Sequence, residues 1–342
     1  MPLGHRCVKA ILAGAAMQLT VVTSLMLTSV HAATPSNDTS RVASFPPGSV
    51  WSIDVRRAPI DPNSDATIQW LARAGGWGTG RMRVDASLRV LQANDSTPRA
   101  PFRRAPGFYR PDSDVVPSVP LPVGGGIEGQ LTYQCPVEQQ DCHLIVVDQS
   151  HSLLYEAFGA NYDGRDLSAV LLAVWDMNRV YPSSGRGDQC SSADAAGFPI
   201  APLLFNANEL AAGHIDHALR FILPNNRIRA GVFIRPASHA GGPKGPSEAP
   251  PYGVHLRLKA SYDIHRLKPA AQIVASAMQI YGIFLADGGN IALTAQNDID
   301  THAKYAAVGF DANDLASLKV TDFEVLKEGP AIPLTYDCVR NH

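Results

Sequence analysis

The clearest rhythm in the chain lies in "VHLRLKASYDI", where Val254, Leu256, Leu258 and Ala260 alternate with His255, Arg257, Lys259 and Ser261. A period of two marks a β-strand with one buried and one wet face. "HLIVVD" and "LLYEAFGA" flank the polar "QSHS" and read as a hairpin around Ser150. In its simplest register Asp148 faces Leu153 and Ile145 faces Glu156. His143, Ile145, Val147, Leu154, Glu156 and Phe158 then share one side. "LSAVLLAVWDM" reads as one long apolar strand. "HALRFIL" and "AGVFIRP" bracket the turn "PNN", and "YGIFLADGGNIALTA" reads as a hairpin about Gly288 and Gly289. Helical periodicity is scarcer. "NSDATIQWLARAGGWG" predicts a short helix capped by Asp65, with Ile68 and Leu71 on one face and Gly75 and Gly76 as its stop. "LKPAAQIVASAMQIYG" predicts another, with Pro269 in its first turn and Gly282 past its end.

Short strands separated by Gly and Pro turns predict a mainly β protein, an antiparallel sandwich or jelly roll with one or two short helices. Residues 33–50, rich in Ser, Thr and Pro, read as a flexible leader. Residues 97–126 carry seven prolines and end in "VGGG", so no regular element is expected there. They read as an arm over the surface of a single domain spanning 51–342.

Composition adds the compartment. Arg6 and Lys9 precede an uncharged apolar run from Ala10 to Ala32, and "SVHA" presents small residues for cleavage after Ala32. Residues 1–32 therefore read as a signal peptide. Its loss takes the net charge from −2 to −4, which argues against nucleic acid as a partner. No later run is long enough to span a bilayer, so the mature chain is expected to be secreted or periplasmic. It keeps four cysteines, Cys135, Cys142, Cys190 and Cys338. Export favours disulfides, and four cysteines allow three pairings. Cys135 and Cys142 enclose a short loop and are the preferred pair, leaving Cys190 for Cys338. No C-x-x-C spacing supports zinc.

No motif names a reaction. Glycine-rich nucleotide loops and a G-x-S-x-G elbow are absent from the sequence. The candidate chemistry comes from polar residues in apolar strands. His143 and Glu156 become diagonal neighbours on the hairpin face, and desolvation or a neighbouring charge there would tune the carboxylate for acid–base work. In "HIDHALRF", read as the start of a strand, His214, Asp216 and Arg220 point one way and His217 joins the core side. Asp194 sits in the small-residue loop "SSADAAG", and His239 in a long Gly/Pro loop. Asp287 before Gly-Gly reads as ordinary turn chemistry.

Glycosidic cleavage uses two carboxyl groups about 5 to 10 Å apart. Glu156 with Asp216 or Asp194 is the expected pair, with His143 and His217 orienting them. Arg220 and His239 would bind substrate, and Trp175, Tyr155 and Tyr162 would stack on sugar rings. The expected function is an exported glycoside hydrolase acting on a polysaccharide or glycan, without cofactor or metal. A lyase using His or Tyr beside a uronate, and a non-catalytic carbohydrate-binding or adhesion protein, are the alternatives.

The phrases "CHLIVVDQSHSLLYEAF", "VWDMNRV", "SSADAAGFPIAPLLFNANELAAGHIDHALRF", "RLKASYDI" and "YGIFLADGG" together resemble a group of exported bacterial proteins. In that group a strand like "LYE" precedes a "SADAAG" loop and a "HALRF" strand. The resemblance runs from about Trp51 to Val325. It implies one continuous module, points to Glu156, Asp194, His217, Arg220 and His239, and implies no particular activity.

Overall fold

The computed structural model describes residues 43–136, 141–327 and 329–341. The expected signal peptide and residues 33–42 of the expected leader lie outside them. In chain order the strands of the first half are β1 (Val84–Leu88), β2 (Leu91–Ala93), β3 (Arg99–Arg104), β4 (Ser118–Pro120), β5 (Leu144–Asp148), β6 (Leu153–Phe158), β7 (Asn161–Tyr162), β8 (Leu167–Ala169) and β9 (Leu171–Asp176). Those of the second half are β10 (Gly187–Asp188), β11 (Leu219–Leu223), β12 (Val232–Phe233), β13 (His255–Leu258), β14 (Ile283–Gly288), β15 (Leu293–Gln296), β16 (Phe323–Val325), β17 (Ile332–Pro333) and β18 (Val339–Arg340). Among the described residues four short helices, α1 (Ser64–Arg73), α2 (Ala207–Ala212), α3 (Pro269–Ile280) and α4 (Tyr305–Val308), complete a mainly β structure.

The hairpin of β5 and β6 has the register its alternation predicts, with Ile145 opposite Glu156 and Asp148 opposite Leu153. It lies in a four-stranded sheet ordered β2-β5-β6-β9. This sheet is apolar on both sides. Ile145, Val147, Leu154, Ala173 and Trp175 join the main core, which continues into the six-stranded sheet β1-β15-β11-β14-β13-β16. Leu144, Val146, Tyr155 and Ala157 join a second core shared with β3, β4 and β8. The hairpin sheet is thus a middle layer. Two buried faces account for its nearly continuous apolar sequence, which strict alternation does not require.

Several expectations change. The sheets are mixed, because β1 with β15, β2 with β5, β3 with β8 and β11 with β14 run parallel. β14 and β15 are not a hairpin, since β11 lies between them. β12 pairs with β17 rather than with β11. "LSAVLLAVWDM" breaks at Val170, so that β8 joins β3 while β9 joins β6. The proline-rich stretch forms β3 and β4; Pro120 lies on the edge strand β4, and Pro101 lies in β3 ahead of the residues that pair with β8. Residues 43–50 are packed rather than loose. Ala43 and Phe45 are buried, and Phe45 meets Trp51 edge-on at 5.2 Å.

Both disulfides form as expected, Cys135 with Cys142 and Cys190 with Cys338. Among the described residues, no helix is long and apolar enough to cross a membrane.

Candidate functional site

The "HIDHALRF" stretch is not one strand. "NANELAAG" before it forms α2, whose N-terminus is a capping box: the Asn206 side chain accepts from the backbone of Asn208 and Glu209, and Glu209 reaches back to the Asn206 N–H. Gly213, at φ 85°, ends the helix. His214 and Asp216 follow in an exposed turn, 3.6 Å apart. β11 begins only at Leu219. His217 is fully buried, with Nδ1 against the Ala218 carbonyl at 2.7 Å and Nε2 against Glu209 at 3.1 Å. It ties the helix to the strand and does not line the main cavity.

Glu156 is also sealed inside. Its Oε1 accepts from the backbone N–H groups of Ile200 and Ala201, both at 2.8 Å, and its Oε2 from the Trp175 indole at 3.0 Å. Burial pushes its carboxyl up to about 7 although these donors oppose the shift. The middle-layer position of the hairpin sheet causes this burial. Glu156 and Asp216 therefore share no groove, and the expected pairing of these two carboxylates does not hold. Trp175 is wholly buried. Tyr155 is buried too, its hydroxyl accepting from Arg99 at 3.2 Å. Tyr162 donates its hydroxyl to the Gly164 carbonyl at 3.0 Å. None of these three lines the main cavity.

That cavity has a volume of about 810 Å³. His143, Asp141, Asp287, Ser192 and His239 supply polar walls, and Phe108, Tyr109, Phe158 and Tyr336 supply aromatic ones. The walls converge from distant segments. The proline-rich stretch brings Tyr109 and is anchored by Asp112, whose Oδ1 accepts from the Ser191 backbone at 2.6 Å. Asp114 accepts from Arg186 at 2.7 Å and from Arg340 at 2.5 Å. The chain end brings Tyr336 and is held by the Cys190–Cys338 bond and by the pairing of β10 with β18. The "SSADAAG" loop packs tightly: a Cβ on Gly197, at φ 81°, would lie 2.1 Å from Ser238 Oγ.

His143 occupies the inner wall. Its Nδ1 lies 2.7 Å from Glu128 Oε2 and its Nε2 lies 3.0 Å from the Ala193 carbonyl. Both neighbours only accept, so both ring nitrogens carry hydrogen and the ring is an imidazolium. Burial alone would lower its pKa, but the hydrogen bond and charge of Glu128 outweigh burial and hold it at about 9. Burial raises Glu128, but His143, Ser87 and Arg220 together lower it further, leaving it below its ordinary value. His143 is thus a fixed cation rather than a base.

Arg220, reaching from β11, links two carboxyls. Its Nη2 donates to Asp194 Oδ1 at 2.6 Å and lies 3.6 Å from Asp287 Oδ2, while its Nη1 donates to Thr294 at 2.9 Å. Asp194 is fully buried, and burial pushes it up to about 7 despite Arg220. Asp287 ends β14 at the cavity wall with 29% of its side chain exposed. Burial raises its carboxyl as well, against Arg220 and the Gly288 backbone N–H. Asp194 and Arg220 of the expected set therefore form one cluster with Asp287, which, like His143, lines the cavity. Asp141, 3.8 Å from His143, is a second carboxyl on the same wall.

His239 lies where the long loop meets the cavity. Its Nδ1–H donates to the Ala195 carbonyl at 2.9 Å, which leaves Nε2 as the acceptor nitrogen. Burial lowers its pKa, so the ring is neutral at neutral pH. Tyr336 meets it edge-on at 5.4 Å.

Among the described residues, one group brings three metal-ligating side chains together: Asp112, Cys190 and Cys338. The two sulfurs are bonded to each other. In the acidic run after β15, Lys304 Nζ donates to the carbonyls of Asp298, Ile299 and Thr301, and Asp300 pairs with Arg89 at 2.8 Å. An ammonium fills that carbonyl cage.

Compared with known proteins, the chain matches no described family, no curated protein and no solved structure.

Proposed function

We propose that this chain is an exported protein that acts on a polysaccharide or glycan as a glycoside hydrolase, with Asp287 and Asp141 in the place first expected for Glu156 and Asp216. The observation that carries the reading is that Asp287 and Asp141 line one cavity together with the His143 cation and the rings of Phe108, Tyr109 and Tyr336. The volume suits an oligosaccharide, and aromatic faces with a few convergent polar groups are how such sites bind. Asp287, its carboxyl raised by burial, is the general acid that protonates the leaving oxygen. Asp141, more open to water, is the nucleophile or base. The signal-like first 32 residues and two disulfides support a secreted or periplasmic location. The two cores that flank the hairpin sheet favour a layered, sandwich-like packing of the β structure.

A lyase is the second reading, favoured by one observation. His239 offers a neutral ring with an acceptor nitrogen, the form a base needs to take a proton beside a uronate. A glycan array followed by assay of the retained glycan tests both. Release of reducing ends without a new double bond, lost in Asp287→Asn but with binding kept, supports the hydrolase. Unsaturated products lost in His239→Ala support the lyase. Retention without turnover leaves a carbohydrate-binding protein, and no retained glycan overturns the reading.

A further inference from the structure

We propose that Asp194 is a positioning residue for Asp287, acting through the Arg220 guanidinium whose Nη2 both carboxylates approach. The inference rests on the reading of Asp287 as the general acid. Asp194 takes the shorter contact, 2.6 Å against 3.6 Å, although it lies behind the cavity wall rather than on it. Its Oδ2 has no hydrogen-bond partner, and neither has Arg220 Nε. A fully buried carboxylate with one unpaired oxygen is poorly solvated, which lifts its titration to about 7 and brings both its forms within reach near neutral pH.

The two acids therefore compete for one cation. When Asp194 is ionised, Arg220 is committed to it and Asp287 keeps its proton. When Asp194 is neutral, Arg220 is released to Asp287, which then ionises more readily. The proton that Asp287 delivers to a leaving oxygen is thus held by a residue no substrate touches. Other charged groups also bear on Asp287, His143 lowering its pKa and Asp141 raising it. His143 is held by Glu128 and the Ala193 carbonyl, and Asp141 stands beside His143. Tyr252 bears on Asp287 from the segment before β13, and Glu156 bears on Asp194 from β6. Thr294 holds the other arm of the guanidinium.

The test is a carboxyl-carbon NMR titration of aspartate-labelled protein, with the Asp287 signal assigned from Asp287→Asn. It needs no substrate, so its failure is separate from failure of the glycan reading. In Asp194→Asn, where the amide oxygen can still accept from Arg220, the Asp287 midpoint is expected to fall by about one pH unit or more. The alkaline limb of any turnover falls with it. An unmoved midpoint overturns the inference. Should Asp194→Asn not fold, the wild-type curve decides. A two-step titration at Asp287, with its second step shared by Asp194, supports the coupling, and a single step at Asp287 independent of Asp194 overturns it.

Discussion

Glu128 and His143 meet at 2.7 Å at the inner wall of the cavity, and this contact keeps the imidazole a cation there at neutral pH. A cation beside Asp287 and Asp141 does two things. It makes the wall attractive to negative charge, and with both ring N–H groups engaged it keeps His143 out of proton transfer at neutral pH. The same contact ties the site to stability. The folded pKa of His143 lies above its ordinary 6.5, so its contribution is complete below 6.5 and is lost as pH rises through about 9. Glu156 and Asp194 are raised acids, so the folded state holds protons that the unfolded state releases. Their effect is loss of stability as pH rises from the ordinary values of 4.5 and 3.8 to about 7. Glu128, lowered, works the other way: its contribution is complete above its ordinary 4.5 and is lost as pH falls from there through its folded value.

The melting temperature is therefore expected to fall steadily from about pH 5 to about pH 9, by an amount on the order of a few kcal/mol in unfolding free energy. Glu156→Gln should flatten the lower half of that slope and Glu128→Gln the upper half. Calorimetry across the range reads both, and a stability maximum near pH 8 contradicts the assignment.

Glu156 is expected to matter for folding and not for chemistry. Glu156→Gln turns an amide donor towards one of three donors and should cost about 1–3 kcal/mol. Glu156→Ala orphans all three and should cost about 3–5 kcal/mol. Asp216→Asn, at an exposed turn, should leave the melting curve unchanged. Folded Glu156→Gln protein should retain glycan turnover, and its selective loss with stability intact would return Glu156 to the site.

The two disulfides should differ in effect. Cys190–Cys338 spans 148 residues, and the chain-entropy relation gives roughly 5 kcal/mol for such a loop against roughly 2 kcal/mol for the 7-residue span of Cys135–Cys142. Because the longer one also holds the segment carrying Tyr336, the Cys190→Ser/Cys338→Ser variant should bind glycan at least about tenfold more weakly, as loss of one aromatic wall implies. Denaturant melts and glycan titration check the two effects separately.

Much of the local structure was legible in the chain. The four residues between Asp148 and Leu153 and the alternation on either side fix the hairpin register, and Pro269 and Gly282 bracket α3 as read. The capping signature of Asn206 and Glu209 with Gly213 is equally visible, whereas the "HALRF" alternation extends back to His214, ahead of the strand's start at Leu219. What the sequence does not carry is non-local. The insertion of β11 between β14 and β15, and the second core under the hairpin sheet, depend on how distant segments stack. Those two facts decide which acids meet solvent. Glu156 looked like a site residue because it breaks an apolar strand, and it does so to accept buried backbone donors. Asp287 looked like turn chemistry, and it does accept the Gly288 N–H at 2.7 Å. Only the strand order puts that turn beside Arg220 and the cavity.

The most direct measurement is a crystal structure of Asp287→Asn with an oligosaccharide the wild-type chain retains. The account predicts a sugar between Tyr109 and Tyr336, its glycosidic oxygen within hydrogen-bond reach of position 287. A sugar seated instead in the second cavity, of about 670 Å³ beside Trp70 and Arg73, would contradict it.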